Sequence, residues 1–255
     1  MPEVSVIVTT NNRKEYLSMA IEAILNQTYK DFELIVVDNF SDYDFFALID
    51  SFKNTKIVPF QNHNHGIIAI NRNYGLKHAK GKYVAFCDDD DIWIENKLHV
   101  QMDIINKTNC DLVSSNMFYF KGDILNLIRK KSNKKINNIN DLIKYNHINT
   151  SSVLVRNKDL KFSEDPNLVA VEDYALWLNL CVKGFRFEFI QKPLVYLRIS
   201  EASSFKKNWD TNHLKLIYLY ISFLLQNPEL HIKIKILYKI LWNFLKYSVK
   251  NEIRN

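Results

Sequence analysis

Short apolar runs rich in β-branched residues alternate with helical patterns through the first 115 residues, and no other property of the sequence restricts the fold so strongly. Val4–Val8 and Tyr83–Cys87 are examples of these runs, and each has the length of a buried strand. Tyr16–Leu25 is an example of the segments between them, with apolar side chains at helical spacing. The alternation predicts an α/β domain with a mostly parallel central sheet flanked by helices.

Polar residues follow several of the predicted strands at the point where each strand ends. Ligands of open α/β sheets bind beyond the carboxyl ends of the strands, so these residues are candidate site residues. The first strand is followed by Thr9–Arg13, the second by Asp38–Asp42 and the fourth by Asp88–Asp91. Four successive carboxylates repel one another, and a divalent cation such as Mg²⁺ or Mn²⁺ would explain them. An acidic turn that caps a helix is the alternative.

Two further polar segments lie on predicted helices. Asn71–Gly75 falls within a helix predicted over Ile67–Ala79. Glu172 and Asp173 open a helix predicted to end at Val182, where an acidic pair could simply favour the helix dipole. Beyond this helix, residues 185–190 and 194–199 are predicted as two separate strands.

The composition excludes several classes of protein. Hydrophobic residues make up 47% of the chain and charged residues 24%, which is ordinary for a globular protein. With only five glycines, the chain has neither a G-x-G-x-x-G fingerprint nor a Walker A loop. Cys87, Cys110 and Cys181 are isolated, and we interpret them as buried residues in a reducing compartment.

The net charge of +6 lies in the last fifty residues. Residues 206–255 contain nine basic and three acidic side chains, and two helices separated near Pro228 are predicted from about Trp209. No nucleic-acid-binding motif accompanies this charge, so no nucleic-acid partner is expected. On the second helix one face carries lysines and the opposite face is apolar, which is typical of a helix in a membrane interface. Packing on the same domain, or on a second subunit in a homodimer, is the alternative. The lysines are Lys235, Lys239, Lys246 and Lys250, and the apolar residues are Ile234, Leu237, Leu241, Phe244 and Leu245.

The location of the protein is predicted from two absences. The N-terminal residues lack the basic region and long apolar core of a signal peptide. The longest apolar run, Leu216–Leu225, is half of the roughly 20 residues that a membrane span needs. We therefore expect a cytoplasmic protein, with a peripheral position on the inner face of the cytoplasmic membrane if the tail binds lipid.

The order and spacing of the polar segments resemble the family-2 inverting glycosyltransferases of the GT-A fold. The resemblance covers about residues 3–200 and rests on several segments together. These are Ile24–Tyr29, similar to S-I-L-x-Q-T-Y; Asp38–Ser41, where the family has D-D-x-S; Asn71–Gly75, similar to A-R-N-x-G; Asp88–Asp91, matching D-x-D-D; and Glu172–Asp173, matching a late E-D.

This resemblance implies a role for each candidate residue. Asp90, with Asp88, would hold the Mn²⁺ or Mg²⁺ cofactor that bridges the diphosphate of the donor. Asp173 would be the general base that takes a proton from the acceptor hydroxyl. The nucleotide-sugar donor would be bound by Thr9, Asn11, Asp38, Asn39, Arg72, Asp88 and Asp89.

The resemblance also implies a domain organisation and an activity. Residues 1–205 would form the GT-A glycosyltransferase domain, with a nucleotide-sugar half at about 1–115 and an acceptor half at about 116–205. Residues 206–255 would form a basic amphipathic helical tail. The expected reaction is transfer of a hexose or N-acetylhexosamine from a UDP-sugar to a glycan or lipid-linked acceptor, in the synthesis of surface polysaccharide, lipooligosaccharide or capsule.

Three positions depart from the family pattern. Asn11 replaces an aromatic residue that often stacks on the base, Asn39 replaces the second aspartate of D-D-x-S, and Ser200 replaces a histidine. These departures motivate one alternative, a non-catalytic nucleotide-sugar-binding protein of the same fold. A nucleotidyltransferase is a second alternative because it also uses carboxylates, a metal and nucleotides, although its usual Gly-rich phosphate loop is missing here.

Overall fold

The computed structural model describes residues 1–122, 127–129, 138–144, 146–199, 209–229, 231 and 233–254, so Ser200 lies outside the described residues. Its elements follow the predicted alternation of strands and helices through residue 115, except for a two-residue strand at Ile92–Trp93 that the sequence did not predict. The helices are α1 (Lys14–Leu25), α2 (Phe45–Ser51), α3 (Ile68–His78), α4 (Lys97–Thr108), α5 (Ile139–Lys144), α6 (Glu172–Val182), α7 (Trp209–Gln226) and α8 (Lys233–Arg254). The strands are β1 (Val4–Thr10), β2 (Phe32–Asp38), β3 (Ile57–Gln61), β4 (Tyr83–Asp88), β5 (Ile92–Trp93), β6 (Leu112–Phe120), β7 (Leu127–Arg129), β8 (Leu154–Arg156) and β9 (Phe187–Arg198).

The strands form one mixed sheet in the order β3-β2-β1-β4-β8-β6-β9-β5, with β7 paired to β6. The first four strands are parallel, as predicted for the N-terminal half. Strand β8 then lies antiparallel to both β4 and β6, so the second half of the sheet is not uniformly parallel. The predicted α/β class with helices on the sheet faces is therefore present, with the parallel part confined to the first four strands and the β6–β9 pair.

The two strands predicted at 185–190 and 194–199 are one continuous strand, β9. Its pairing with β6 shifts register on either side of Asn116, where Pro193 faces that residue. A proline cannot donate a ladder hydrogen bond, and a bulge accommodates it without ending the strand. Pro193 and its polar neighbours therefore marked a bulge rather than a boundary between strands.

The central strands are buried on both faces, which explains their continuous apolar sequence. Every residue of β1 and of β2 is buried, as is typical of parallel strands covered by helices on both sides. On one face Ile7, Ile35 and Phe86 join a core that includes Trp177 of α6. Alternate residues of the same strands face a second core with the buried side of α1. These two cores fix the strands whose ends carry the polar residues.

The starts of three strands are joined at Gly81. A Cβ atom on Gly81 would lie 2.4 Å from the backbone nitrogen of Ser5, so only glycine fits without a backbone shift. The Gly81 N–H donates to Ser5 Oγ (2.8 Å), and Ser5 Oγ donates to Glu33 Oε1 (2.6 Å). Glu33 Oε1 also accepts from the backbone N–H of Lys80 (2.8 Å). The beginnings of β1, β2 and β4 are thereby held in one hydrogen-bonded cluster.

The two predicted C-terminal helices are present, and both contribute to the core of the domain. Leu219, Tyr220 and Phe223 of α7 and Ile236 of α8 belong to the same cluster as Trp177. Tyr220 Oη lies 3.1 Å from Tyr174 Oη in a buried hydrogen bond between α7 and α6. Within the described residues, no helix is both long and apolar enough to cross a membrane.

Candidate active site

The carboxyl ends of β1, β2 and β4 open into a cleft at one edge of the sheet. Strand register brings Thr9 beside Asp88 and Thr10 beside Asp38. The cleft consists of two adjoining cavities of about 480 Å³ and 320 Å³. The residues that line both cavities are Thr9, Arg13, Gly66, Ile68 and Asp89.

The structure brings most of the predicted site residues to this cleft. The larger cavity is lined by Thr9, Arg72, Asp88, Asp89, Asp90 and Asp173. The smaller cavity is lined by Thr9, Asn11, Asn39 and Asp89. Asp88, Asp90 and Asp173 thus share one cavity, Asn11 and Asn39 lie in the other, and Asp89 lines both. The roles of these residues stay predictions.

Asp38 lines neither cavity. Its side chain is fully buried, and its carboxylate accepts hydrogen bonds from Ser41 Oγ (2.5 Å), the Ser41 backbone N–H (3.0 Å) and Gln61 Nε2 (3.0 Å). These bonds hold the loop that follows β2. A contact between Asp38 and the nucleoside stays a prediction, and in this structure the side chain acts on the loop that carries Asn39.

Asn39 is fixed by two contacts with neighbouring loops. Its Oδ1 accepts from the backbone N–H of Asn64 (2.9 Å), and its backbone carbonyl accepts from Asn11 Nδ2 (2.9 Å). A backbone N–H can only donate, so the first bond identifies the oxygen of the Asn39 amide. The smaller cavity is therefore bordered by an amide whose oxygen is already engaged.

Arg13 connects two carboxylates at the junction of the cavities. Its Nη1 lies 2.9 Å from Asp89 Oδ1 and 3.0 Å from Asp90 Oδ2, and Thr10 Oγ1 donates to Asp89 Oδ2 (2.8 Å). Burial raises the pKa of Asp89 to about 6 although Arg13 and Thr10 oppose the shift. Burial, followed by the charge of Asp88, also raises the pKa of Asp90.

Arg72 joins the end of β4 to the start of α6. Its buried guanidinium donates from Nη2 to Asp88 Oδ1 and from Nη1 to Glu172 Oε1, both at 2.8 Å. Burial lowers the pKa of Arg72, but the carboxylates of Asp88 and Glu172 outweigh this effect and raise it. Arg72 thus stays charged and fixes the position of Asp88 relative to the helix that carries Asp173.

Asp173 lies at the first turn of α6. Its Oδ2 accepts from Thr150 Oγ1 (3.0 Å), and its Oδ1 accepts from the backbone N–H of Tyr174 (2.6 Å). Burial raises the pKa of Asp173 to about 6, and the charge of Glu172 adds to this effect, whereas Arg72 opposes it. A carboxylate with a pKa close to the working pH is suited to accept a proton.

Asp91 also lines the larger cavity and is contacted by Arg198 at the end of β9. The Arg198 backbone N–H donates to Asp91 Oδ1 (3.1 Å), and Arg198 Nε donates to the Asp90 carbonyl (3.2 Å). The guanidinium also lies 4.4 Å from the ring centres of Tyr16 and Phe120. Burial raises the pKa of Asp91 well above its ordinary value. Arg198 therefore supports the turn that presents Asp88 and Asp90.

The donor atoms at this turn fit a divalent cation that is also held by its substrate. Arg72 and Arg13 each take one oxygen of Asp88 and Asp90, respectively, so each carboxylate retains a second oxygen. In the described part of the chain, no set of three or more histidine, cysteine or acidic side chains is arranged as a complete cation site. Two carboxylates with open coordination positions suit Mg²⁺ or Mn²⁺, which are commonly bound by one or two carboxylates together with phosphates.

Several residues of the cleft received no specific role from the sequence. Arg13 lies among the polar residues after the first strand, which the sequence marked as candidate site residues. Its pairing with Asp89 and Asp90 spans more than 70 positions of sequence, so no local pattern predicts it. For Glu172 the sequence offers only a place in the E-D pair or an effect on the helix dipole, and the structure pairs this side chain with Arg72. Thr150 and Arg198 come from the second half of the chain, and no local pattern predicted their contacts with Asp173 and Asp91.

The α/β sheet, with its carboxylate cluster and the Glu172–Asp173 pair at one cleft, has the arrangement that the resemblance to GT-A glycosyltransferases predicts. The profile of Glycosyl transferase family 2 matches residues 5–161. The chain belongs to this family, which confirms the predicted family and fold and makes the protein a glycosyltransferase. The nucleotidyltransferase alternative is not supported.

Similar proteins agree with this assignment. One relative is the UDP-Glc:alpha-D-GlcNAc-diphosphoundecaprenol beta-1,3-glucosyltransferase WfaP of Escherichia coli, 32% identical over 203 residues that cover 80% of each chain. Residues 1–349 of S. aureus TarS in complex with UDP-GlcNAc have the same fold, with a TM-score of 0.74, 20% identity, and coverage of 98% of this chain and 74% of that one. The mannosyltransferase PcManGT of Pyrobaculum calidifontis, in complex with GDP-Man and Mn²⁺, gives a TM-score of 0.67 at 15% identity and covers 97% and 73%.

Proposed function

We propose that this glycosyltransferase moves a hexose or N-acetylhexosamine from a UDP-sugar to a lipid-linked glycan acceptor, with inversion at the anomeric carbon, in the synthesis of a surface polysaccharide. The observation that carries the proposal is the larger cavity, in which Asp173 and the carboxylates of Asp88 and Asp90 line one space. The relative WfaP is named for UDP-Glc and a diphosphoundecaprenol acceptor, and TarS was crystallised with UDP-GlcNAc, which supports the donor and acceptor classes.

The residues of the cleft divide the work in this proposal. Asp173 accepts the proton of the acceptor hydroxyl as that oxygen attacks the anomeric carbon and the bond to the nucleoside diphosphate breaks. Thr150 and the Tyr174 N–H orient the Asp173 carboxylate through the bonds described above. Asn11, Asn39, Thr9 and Asp89 border the cavity that receives the nucleoside.

Asp88 and Asp90 are the residues that would hold a divalent cation, Mn²⁺ or Mg²⁺. When bound, such a cation would neutralise the charge that develops on the leaving diphosphate. Arg72 keeps Asp88 in place, and Arg13 does the same for Asp90. The PcManGT complex with Mn²⁺ supports a divalent metal in this fold.

We further propose that residues 1–115 bind mainly the donor, that residues 116–205 bind mainly the acceptor, and that residues 206–255 form a basic helical tail. The lipid-linked acceptor favours action at the inner face of the cytoplasmic membrane. Within the proposed tail, helix α7 packs into the same core as α6, the helix that carries Asp173.

The proposal is tested with the purified full chain, a panel of nucleotide sugars, MnCl₂ and a GlcNAc-diphospho-lipid acceptor. We expect product and nucleoside diphosphate from one UDP-sugar, loss of both with EDTA, and an inverted anomeric configuration in the product by NMR. A retained configuration would contradict the single-displacement mechanism. Turnover in EDTA would contradict the proposed use of a cation.

The general base is tested by Asp173→Asn with Asp159→Asn as the matched control, because Asp159 is an exposed aspartate outside the cleft. We expect Asp173→Asn to lower transfer by about 10²- to 10⁴-fold while UDP binding, measured by calorimetry, stays unchanged. Asp159→Asn should keep wild-type transfer. UDP binding without transfer in the wild-type chain under every condition would favour the non-catalytic alternative.

A further inference from the structure

The C-terminal helix α8 presents a broad apolar face to solvent. Seven large side chains of this helix are between 46% and 81% exposed, with helical spacing that places them on one side. Monomeric proteins rarely expose a contiguous apolar patch of this kind unless it binds something. We call these residues the α8 face, and they are Ile234, Leu237, Tyr238, Leu241, Trp242, Phe244 and Leu245.

A different side of the helix attaches it to the domain. Ile236 is fully buried, Ile240 packs against the same core, and Asn243 Oδ1 lies 2.8 Å from His213 Nδ1 of α7. The sequence predicted a lysine face opposite an apolar face and left self-packing as the alternative. The helix does pack on its own domain, but through a third side that leaves the apolar face uncovered by the described residues.

The lysines lie along one border of the α8 face. Lys235 Nζ donates to Asn140 Oδ1 (2.8 Å) and Lys239 Nζ donates to the Lys144 carbonyl (3.0 Å), so both reach toward α5. On a helix with 100° per residue, positions 235 and 239 fall between the packed side and the apolar face. This arrangement places positive charge beside, rather than opposite, the exposed apolar side chains.

The charge of this segment selects the kind of partner. No acidic residue occurs between Glu229 and Glu252, whereas five lysines do. An apolar face bordered by lysines fits an anionic lipid surface, where the apolar side chains enter the acyl boundary and the lysines reach the headgroups. A second copy of this chain would present the same apolar face and the same lysines, so it offers no charge complementary to them.

We infer that the α8 face is a docking surface for an anionic lipid bilayer. The inference uses only residues outside the cleft, so it does not depend on the donor, the metal or the reaction. It does add to the proposed function, because it would bring the enzyme to the surface that holds a lipid-linked acceptor.

Point variants test this surface better than removal of the tail. Helix α7 holds the cleft wall through Lys215 Nζ, which donates to the Val169 carbonyl (2.8 Å), and through Tyr218 Oη, which donates to Asp165 Oδ2 (2.6 Å). Val169 lines the larger cavity, so deletion of the tail would disturb the cleft as well as the docking surface. Exposed side chains of α8 can be changed without touching these contacts.

The test is flotation of the full-length protein with vesicles of phosphatidylcholine alone or mixed with phosphatidylglycerol. The docking variant is Leu237→Gln/Leu241→Gln/Phe244→Gln. The control variant is Met19→Gln/Phe46→Gln/Val182→Gln, whose side chains have comparable exposure on α1, α2 and α6. Thermal melting and UDP binding confirm that both variants fold.

We expect the wild type and the control variant to float with phosphatidylglycerol vesicles and the docking variant to lose at least about tenfold in bound fraction. Raised salt should weaken binding because exposed charges are screened. Failure of the wild type to bind, or equal binding by the docking variant, would overturn the inference. Equal binding to pure phosphatidylcholine would overturn the anionic component. A dimer in light scattering that the docking variant abolishes, without vesicle binding, would assign the face to a second copy.

Discussion

Four consecutive aspartates at the end of β4 have four different sets of contacts. Asp88 pairs with Arg72, Asp89 with Arg13 and Thr10, and Asp90 with the same Arg13. Asp91 accepts from the backbone of Arg198. The repulsion from which the sequence predicts a cation is thus partly relieved by two arginines of the protein. These arginines also leave one oxygen each on Asp88 and Asp90, which is why the cluster remains suited to a divalent ion.

The pKa of Asp173 predicts how transfer depends on pH. Burial and Glu172 raise this pKa to about 6, so the carboxyl group stays protonated about two pH units higher than an exposed aspartate would. Only the ionised form can accept a proton, so kcat should fall about tenfold per pH unit below pH 6 and level off above it. The measurement is kcat across about pH 5 to 8 at saturating donor and acceptor.

Asp89 also has a pKa of about 6, so its titration must be distinguished from that of Asp173 by a second measurement. Asp89 lines both cavities, and the smaller one is proposed above to receive the nucleoside, so its protonation should change UDP binding. UDP affinity measured over the same range distinguishes the two groups. A kcat that does not change between about pH 5 and 8 would contradict the assignment of Asp173 as the base.

At the scale of the secondary-structure elements, the start of β4 packs closely against the start of β1 at Gly81. A Gly81→Ala change would place a Cβ 2.4 Å from the Ser5 nitrogen and 2.7 Å from the Val4 carbonyl carbon, and both atoms belong to the backbone of β1. The strand cannot rotate away as a side chain would, so β4 and β1 must separate. We expect a loss of about 1–3 kcal/mol in the free energy of unfolding.

Gly184→Ala is the comparison for this prediction. A Cβ on Gly184 would have no other atom within 4 Å, but the backbone φ there is +82°, so the substitution costs conformational energy alone. We expect about 1 kcal/mol there. Urea unfolding followed by circular dichroism measures both variants. A Gly81→Ala variant as stable as the wild type would show that β1 and β4 can separate at Ser5 without loss of stability.

The elements show which parts of this protein a single sequence predicts. The buried strands β1, β2 and β4 are largely apolar runs ended by polar residues, so both their existence and the position of the cleft were predictable. The antiparallel strand β8 was not predictable in its placement, because Leu154–Arg156 is too short to specify its neighbours. The Arg72 pairs with Asp88 and Glu172 depend on α3 and α6 meeting in space, which no local pattern encodes.

At the scale of the whole molecule, the C-terminal helix α7 connects to the cleft. Helix α7 reaches α6 and the segment before it at three points, through Lys215 with Val169, Tyr218 with Asp165, and Tyr220 with Tyr174. Ala170, which lines the cleft between Val169 and α6, has a φ of +77°. A non-glycine residue in this conformation costs of order 1–3 kcal/mol and persists only when its surroundings hold it. The tail is therefore part of the structure that shapes the site.

This connection predicts that Lys215 affects catalysis although it does not line the cleft. Lys215→Met keeps the apolar stem but removes the hydrogen bond to the Val169 carbonyl, a contribution of about 1 kcal/mol. Because Val169 and Ala170 border the larger cavity beside Asp173, we expect kcat/KM for the acceptor to fall about fivefold while UDP affinity stays unchanged. Lys183→Met, at the exposed end of α6, is the matched control and should behave as the wild type. Unchanged acceptor kinetics in Lys215→Met, with the hydrogen bond absent, would mean that the cleft wall keeps its shape without α7.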